Sequence, residues 1–424
     1  RGLRVEHARH SGIVLTGARE CLVTGCTVSG IGNMGVNLGG VCNAHEEVGN
    51  PRVIPAEGFS GGVGGGGQNL LFNAPCLDCR VEGCDVFDCG ADGIFIYGDF
   101  NVAINNHVRN TGLFDKDSAC INLWGEENAA RRNSLHDVPR NAVFLKGIGN
   151  VLELNDLRWT MLETCDGGAI RMCQRNLTLR SNVIRHNRIV DTIGYGYPRN
   201  ARTFQSPYYA WGVYLDDFTC GSTVEGNIIV RTSRGGVMLH GGSDNIVRGN
   251  VVVDGGLYTL EHAPIRDHPV TGNVFASNVL VFDGNEAVAY RCTKWLDDAL
   301  TITGNVVWPG DGPARVDTGH GGQLFEDWDA WMAFGADEGS VVRDPMLEDF
   351  MPAPDSPAWT LGFEEIPVAL IGCYEDPARA SWPVDTDAGV VREQPLLHTQ
   401  PTLPLNEDFE IDVVGRKPRH SDAM

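Results

Sequence analysis

Asp166, Asp216, Asp217 and His240 stand in three short hydrophobic segments of one design: CDGGAIRM at 165–172, WGVYLDD at 211–217 and GGVMLHGGSDN at 235–245. Each segment carries two apolar residues separated by one other: Ile170 and Met172, Val213 and Leu215, Val237 and Leu239. That is the period-two signature of a strand with one buried face. The residues between and just after those pairs point the other way, so Arg171, Tyr214, Asp216 and His240 share an outward face, with Asp166 and Asp217 close by. Two carboxylates on one face can divide the labour of general acid and of base or nucleophile, provided their surroundings push them to different protonation states. Arg171 and His240 suit substrate binding or the setting of a neighbouring carboxylate's charge, since a cation beside Asp216 keeps it ionised.

These segments are three members of a longer series. Apolar pairs also occur at Val36/Leu38, Ile94/Ile96, Ile121/Leu123 and Val143/Leu145. A second unit, apolar-x-x-Asn-x-apolar, recurs around Asn155, Asn187, Asn227, Asn250, Asn278 and Asn305; Asn106 and Asn133 keep the Asn, and Cys26 and Cys84 replace it. The two units are in phase: Cys26, Cys84, Asn133 and Asn227 each precede an apolar pair by ten residues. Steps between Asn positions of 22 to 28 residues match one coil of a solenoid in which each coil touches only its neighbours. The pattern predicts an all-β chain folded as a right-handed parallel β-helix. The Asn residues are expected at an inward corner, each amide bonded to those above and below.

Stacking the rows predicts one outward column of Tyr97, Trp124, Lys146, Cys173, Asp216 and His240. A second column beside it holds Phe95, Asn122, Phe144, Arg171, Tyr214 and Met238. At roughly 4.8 Å between strands, Arg171, Asp216 and His240 span the width of a small substrate. Trp124 and Lys146 are further candidates for substrate contact, although surface packing is the simpler account of both. Asp217 would point inward by alternation unless the strand ends at Asp216; its structural role would then be to bond turn amides near 219–221. In a flat pair of strands Asp166 would stand roughly 20 Å from Asp216 at about 3.3 Å per residue. A bulge or bend at Gly167 and Gly168 is needed to bring it over the face.

Composition narrows the function. The 424 residues include 53 Gly and carry a formal charge of −22, which argues against nucleic acid or an anionic membrane surface as partner. The same charge argues more weakly against a polyanionic substrate. No apolar run is long enough to span a membrane. The 13 Cys lie mostly on strands and corners, where reduced buried thiols are expected. Cys76 and Cys79 lack the second pair of a zinc ribbon, and no metal or other cofactor is expected. The glycine run at 61–67 lacks the Gly-Lys-Ser/Thr ending of a phosphate-binding loop and reads as a flexible loop. The insertion at 194–211 carries Tyr195, Tyr197, Phe204, Tyr208, Tyr209 and Trp211, rings suited to stacking on sugars or to packing outside the coil.

The repeat spans 1–310. Residues 311–375 read as a cap with one helix over 327–334, and 376–424 as an extended or disordered tail. The chain opens on Arg1 without a visible cap, as a piece of a longer protein would.

The segments at 166–170, 212–217 and 240–245, with Asp-Pro-Met at 344–346 and Asp-Ser-Pro-Ala at 355–358, resemble the β-helix glycosidases grouped near glycoside hydrolase family 141. That family includes α-L-fucosidases and xylanases, and the likeness covers most of residues 1–372. It implies an extracytoplasmic, carbohydrate-active enzyme using two carboxylates, here Asp166 with Asp216 or Asp217. It also implies an N-terminal β-sandwich-like part that this chain lacks. A polysaccharide lyase with Lys146 or His240 as base, and a non-catalytic carbohydrate-binding solenoid, are the alternatives on the same face.

Overall fold

The computed structural model describes residues 1–39, 74–198, 203–265, 270–293, 298–319 and 323–386. The glycine run at 61–67, part of the aromatic insertion and most of the expected tail lie outside these residues.

The chain is a parallel β-helix whose described residues form three long sheets of 12, 11 and 13 strands, successive coils adding a strand to each. Among the described residues every strand pairing between coils is parallel; antiparallel pairing joins Val316–Asp317 with Leu324–Phe325, Leu347–Glu348 with Met351–Pro352 and, as an isolated bridge in the insertion, Gly196 with Gln205. The sheet that carries the candidate site stacks Ile94–Asp99, Ala119–Glu126, Asn141–Ile148, Gly167–Cys173, Ala210–Asp216, Gly235–His240 and Tyr258–Ala263 in that order. Val143, Ile170, Val213 and Val237 fall in one register row and are fully buried in a core that runs along the helix axis.

A left-handed residue turns the corner immediately before each ladder asparagine, as at Asn105, Arg132, Leu154, His186, Gly226, Gly249 and Ser277. Such a conformation is costly for most side chains, and the asparagine stabilises it by satisfying the corner's backbone. The Oδ1 of Asn227 accepts from the backbone N of Asn187 at 3.0 Å and from its Nδ2 at 2.9 Å. The pattern repeats from Asn106 through Asn305, with Cys26 and Cys84 at the N-terminal end and Ser340 at the other. A second ladder five residues upstream, through Asn101, Asn128, Asn150 and Asn182, was not anticipated from the repeat. Its signal is the recurrence of Asn at that offset in successive coils.

The helix Trp328–Phe334 has Asp327 as N-cap and seats the buried Trp331 against Tyr290 and Phe325, closing the core at the last coil. Beyond it the chain turns back along the corners. Leu361 O accepts from Ser277 Oγ, Gly372 N donates to Leu154 O, Tyr374 N to Asn105 Oδ1 and Ala380 N to Gly83 O. None of the described cysteines is in a disulfide. Among the described residues no helix is long and apolar enough to cross a membrane.

Candidate active site

The strands that carry the site are bent, and the bend shapes it. Strict alternation would send only one of two consecutive residues inward, yet Ala169 and Ile170 are both fully buried in the core. A Cβ on Gly212 would lie 2.5 Å from the core side chain of Ile229, and one on Gly236 2.5 Å from that of Val252. This row therefore faces inward beside the Ile170 row, and only small residues fit there. Alternation restarts on the upstream side, so Gly168, Trp211 and Gly235 face outward in register. The bend lies one to two residues downstream of the expected Gly167–Gly168 position, and the flat-strand separation of Asp166 from Asp216 does not apply.

Asp216 is the centre of the arrangement. It is the last residue of its strand, 5% exposed, and its two carboxylate oxygens are held from neighbouring coils. Arg171 Nη2 donates to Oδ2 at 2.7 Å, and His240 Nδ1 lies 2.9 Å from Oδ1. A carboxylate only accepts, so His240 carries its proton on Nδ1 and turns Nε2 elsewhere. Burial alone would push the Asp216 carboxyl up, but the bond from His240 and the charge and bond of Arg171 hold it well below the usual carboxylate range. The same pairings act in reverse on the partners. Burial lowers His240 and Arg171, and the Asp216 carboxylate outweighs it and raises both. Asp216 is thus a buried carboxylate that stays ionised.

Asp217 begins the turn, with φ at +32°. Because the strand stops at Asp216, its side chain faces outward: Arg175 Nε reaches Oδ2 at 2.8 Å, and His240 Nδ1 lies 3.7 Å from Oδ1. The turn is held instead by the Asp216 carbonyl, which accepts from Thr219 N and Oγ1. Asp166 is exposed and left-handed at φ +56°, and its N donates to Tyr209 O at 2.9 Å. Its negative charge is felt at Arg171, Tyr214 and His240, which places it in the electrostatic field of the Asp216 group. Tyr214 is buried, its hydroxyl pushed well above its ordinary range first by burial and then by Asp216 and Asp166.

Of the two alternatives for Trp211, the structure shows packing. The ring is fully buried, not presented to a ligand. It fills the space left by Gly235 in the next coil, packs tilted against Tyr214 with centroids 4.6 Å apart, and donates from Nε1 to Glu261 at 3.0 Å. Trp124 is also largely covered: Nε1 donates to Asn122, and the ring packs between Phe95 and Phe144. Lys146 is half-buried with its ammonium 5.3 Å from the Trp124 ring centroid. In the aromatic insertion Tyr195 and Tyr197 pack on Phe204, so these rings contact one another first.

Sequence reasoning missed Arg175, Arg140 and a buried group around Glu261. Arg140 donates to the carbonyls of Cys165 and Asp166 and pairs with Asp117, fixing the approach to Asp166. Glu261 continues the Arg171, Tyr214, Met238 column, and extending the register by one coil finds it. It is paired with Arg234 at 3.4 Å and lies 3.7 Å from Arg291. Arg175 lies past its strand, where no periodicity applies.

Cys173, Asp216 and Asp217 each place one ligand-capable atom within 4.8 Å of the others. The donors are already engaged: Arg171 and His240 occupy both Asp216 oxygens, and burial, then Asp216, pushes the Cys173 thiol up to about 11. A cation would have to displace those partners and deprotonate the thiol.

Residues 119–307 match the family model described as a right handed beta helix region. No curated protein sequence matches the chain. Among solved structures it is similar to a tailspike protein double mutant of E. coli bacteriophage HK620 in complex with a pentasaccharide, at 9% identity and a TM-score of 0.40 over 55% of this chain and 45% of that one. The catalytic unit of a GH87 alpha-1,3-glucanase from Streptomyces thermodiastaticus has 11% identity and a TM-score of 0.42, over 63% of this chain and 56% of that one. A DFA-IIIase from Arthrobacter chlorophenolicus has 13% identity and a TM-score of 0.33, over 80% of this chain and 70% of that one. The likeness is one of fold. The chain spans 45% of the first of these structures.

Proposed function

We propose that this face hydrolyses O-glycosidic bonds in a plant-type polysaccharide or oligosaccharide of fucoside or xylan kind, in an extracytoplasmic setting. The observation that carries the reading is Asp216, buried yet kept ionised by Arg171 and His240. Glycoside hydrolysis needs one carboxylate that stays charged to attack the anomeric carbon or to activate water, and an acid that protonates the leaving oxygen. Asp216 takes the first role. The second role falls to Asp166 at the rim, or to Asp217, and requires that carboxyl to hold a proton once the glycan is bound. Arg171 and Tyr214 bind and orient the sugar, and His240 positions Asp216. No step calls for a metal.

The experiment is product analysis on plant-type polysaccharides and aryl fucosides or xylosides. The expected outcome is release of saturated reducing sugars, undiminished in EDTA, with kcat for Asp216→Asn lower by orders of magnitude while the strand signature in circular dichroism is kept. An ultraviolet-absorbing unsaturated product abolished by EDTA would assign a lyase instead, and binding without any product a carbohydrate-binding solenoid.

A further inference from the structure

We infer that Lys146 forms a subsite for an anionic substituent, a uronate carboxylate or a sulfate ester, on a sugar next to the one held at Asp216. This inference rests on reading the Asp216 face as the carbohydrate-binding face. Its first support is an asymmetry in charge pairing. The other cations on the face are each matched by a carboxylate: Arg171 by Asp216, Arg175 by Asp217, Arg140 by Asp117 and Arg234 by Glu261. Lys146 has no carboxylate within ion-pair distance among the described residues; its one neighbour of note is the Trp124 ring. In a chain with 55 Asp and Glu against 33 Lys and Arg, a half-buried ammonium without an acidic partner stands out from its surroundings.

The second support is position. Lys146 is in register with Trp124, and the next two strands put Cys173 and then Asp216 in the same column. Two strand spacings are about 10 Å, a distance that adjoining rings of a saccharide chain bridge. The group between them adds no negative charge, because burial holds the Cys173 thiol protonated with its pKa at about 11. The Trp124 ring beside the ammonium belongs to an apolar cluster with Phe95, Tyr97 and Phe144, of which Tyr97 and Phe144 remain partly open and offer a floor for a sugar ring. A ring resting on that floor brings its charged substituent to Lys146. Lys acts as a compact point charge with rotatable donors and accepts carboxylate or sulfate alike. One free ammonium accommodates one anionic group, so the inferred ligand is a largely neutral glycan with isolated acidic units. That agrees with a net charge of −22, which would repel a polyanion.

The test is equilibrium binding of the full chain and its Asp216→Asn variant to an array of neutral, uronate-bearing, carboxyl-reduced and sulfated oligosaccharides. Binding is expected to favour acidic glycans over their neutral or carboxyl-reduced counterparts. Lys146→Met should weaken it by about tenfold or more, as loss of one hydrogen bond to a charged group does, and Lys146→Arg should restore it. Uronate and sulfate arms identify which anion is preferred. Binding to neutral glycans alone, no glycan binding at all, or acidic binding indifferent to Lys146→Met in a protein with an unchanged melting profile would overturn the inference. Acidic glycans bound through Lys146 but never cleaved by the intact protein would remove the hydrolase reading and leave this subsite standing.

Discussion

Asp92 provides a quantitative test of how the outward face is assembled. It is 1% exposed and accepts from Ala119 N at 2.7 Å and from Asn122 Nδ2 at 3.2 Å; Asn122 in turn accepts from Trp124. Burial pushes its carboxyl up to about 7, against the two hydrogen bonds, with Asp115 and Asp117 adding to the rise. The folded chain therefore keeps a proton that the unfolded chain releases near pH 4. Stability conferred by a protonated Asp92 falls as pH rises from about 4 to about 7 and is fully lost above that window. A carboxyl raised from 3.8 to about 7 corresponds to about 4 kcal/mol at 1.36 kcal/mol per pH unit. Asp92→Asn never ionises and can retain the Ala119 bond. Its stability relative to the parent should thus improve with pH by up to that amount. With an unfolding entropy of roughly 2 cal/mol/K per residue over 424 residues, the relative gain in Tm between pH 4 and pH 8 is roughly 4 °C. Paired thermal melts of parent and variant at half-unit pH steps measure it, and the difference between the two proteins removes the titrations they share. A Tm difference that is constant from pH 4 to pH 8 would refute the reasoning.

Two further outcomes are expected. The raised His240 contributes stability through Asp216 that is present below its unfolded value near 6.5 and lost as pH rises through its higher folded value; in denaturant titrations the deficit of His240→Gln should accordingly be largest in acid and shrink in base, and a deficit that grows with pH would contradict the pairing. Asn227→Ala removes the buried partner of Asn187 N and Ile184 O and should cost about 3 kcal/mol, given about 1–3 kcal/mol for each unsatisfied buried group; a loss under about 1 kcal/mol in equilibrium unfolding would show that the ladder does not hold the corners.

The parallel β-helix, the inward row of Val143, Ile170, Val213 and Val237, the ladder at Asn187 to Asn305, and the neighbourhood of Arg171, Asp216 and His240 can all be read from the residue pattern. These are legible because a solenoid makes only nearest-neighbour contacts, so a two-residue alternation repeated in phase states both which face a residue takes and which residue lies above it. The remaining features come from contacts between coils. Trp211 is buried because Gly235, in the next coil, leaves volume that its ring fills. The bend at Ala169, Gly212 and Gly236 breaks the alternation on which flat-strand distances rest, and so changes where Asp166 stands. The charge state of Asp216 depends on two cations delivered by separate coils, and the pairing of Arg175 with Asp217 on a side chain beyond its strand's end. Each of these depends on volume and field shared among coils distant in sequence, which no residue's local pattern encodes.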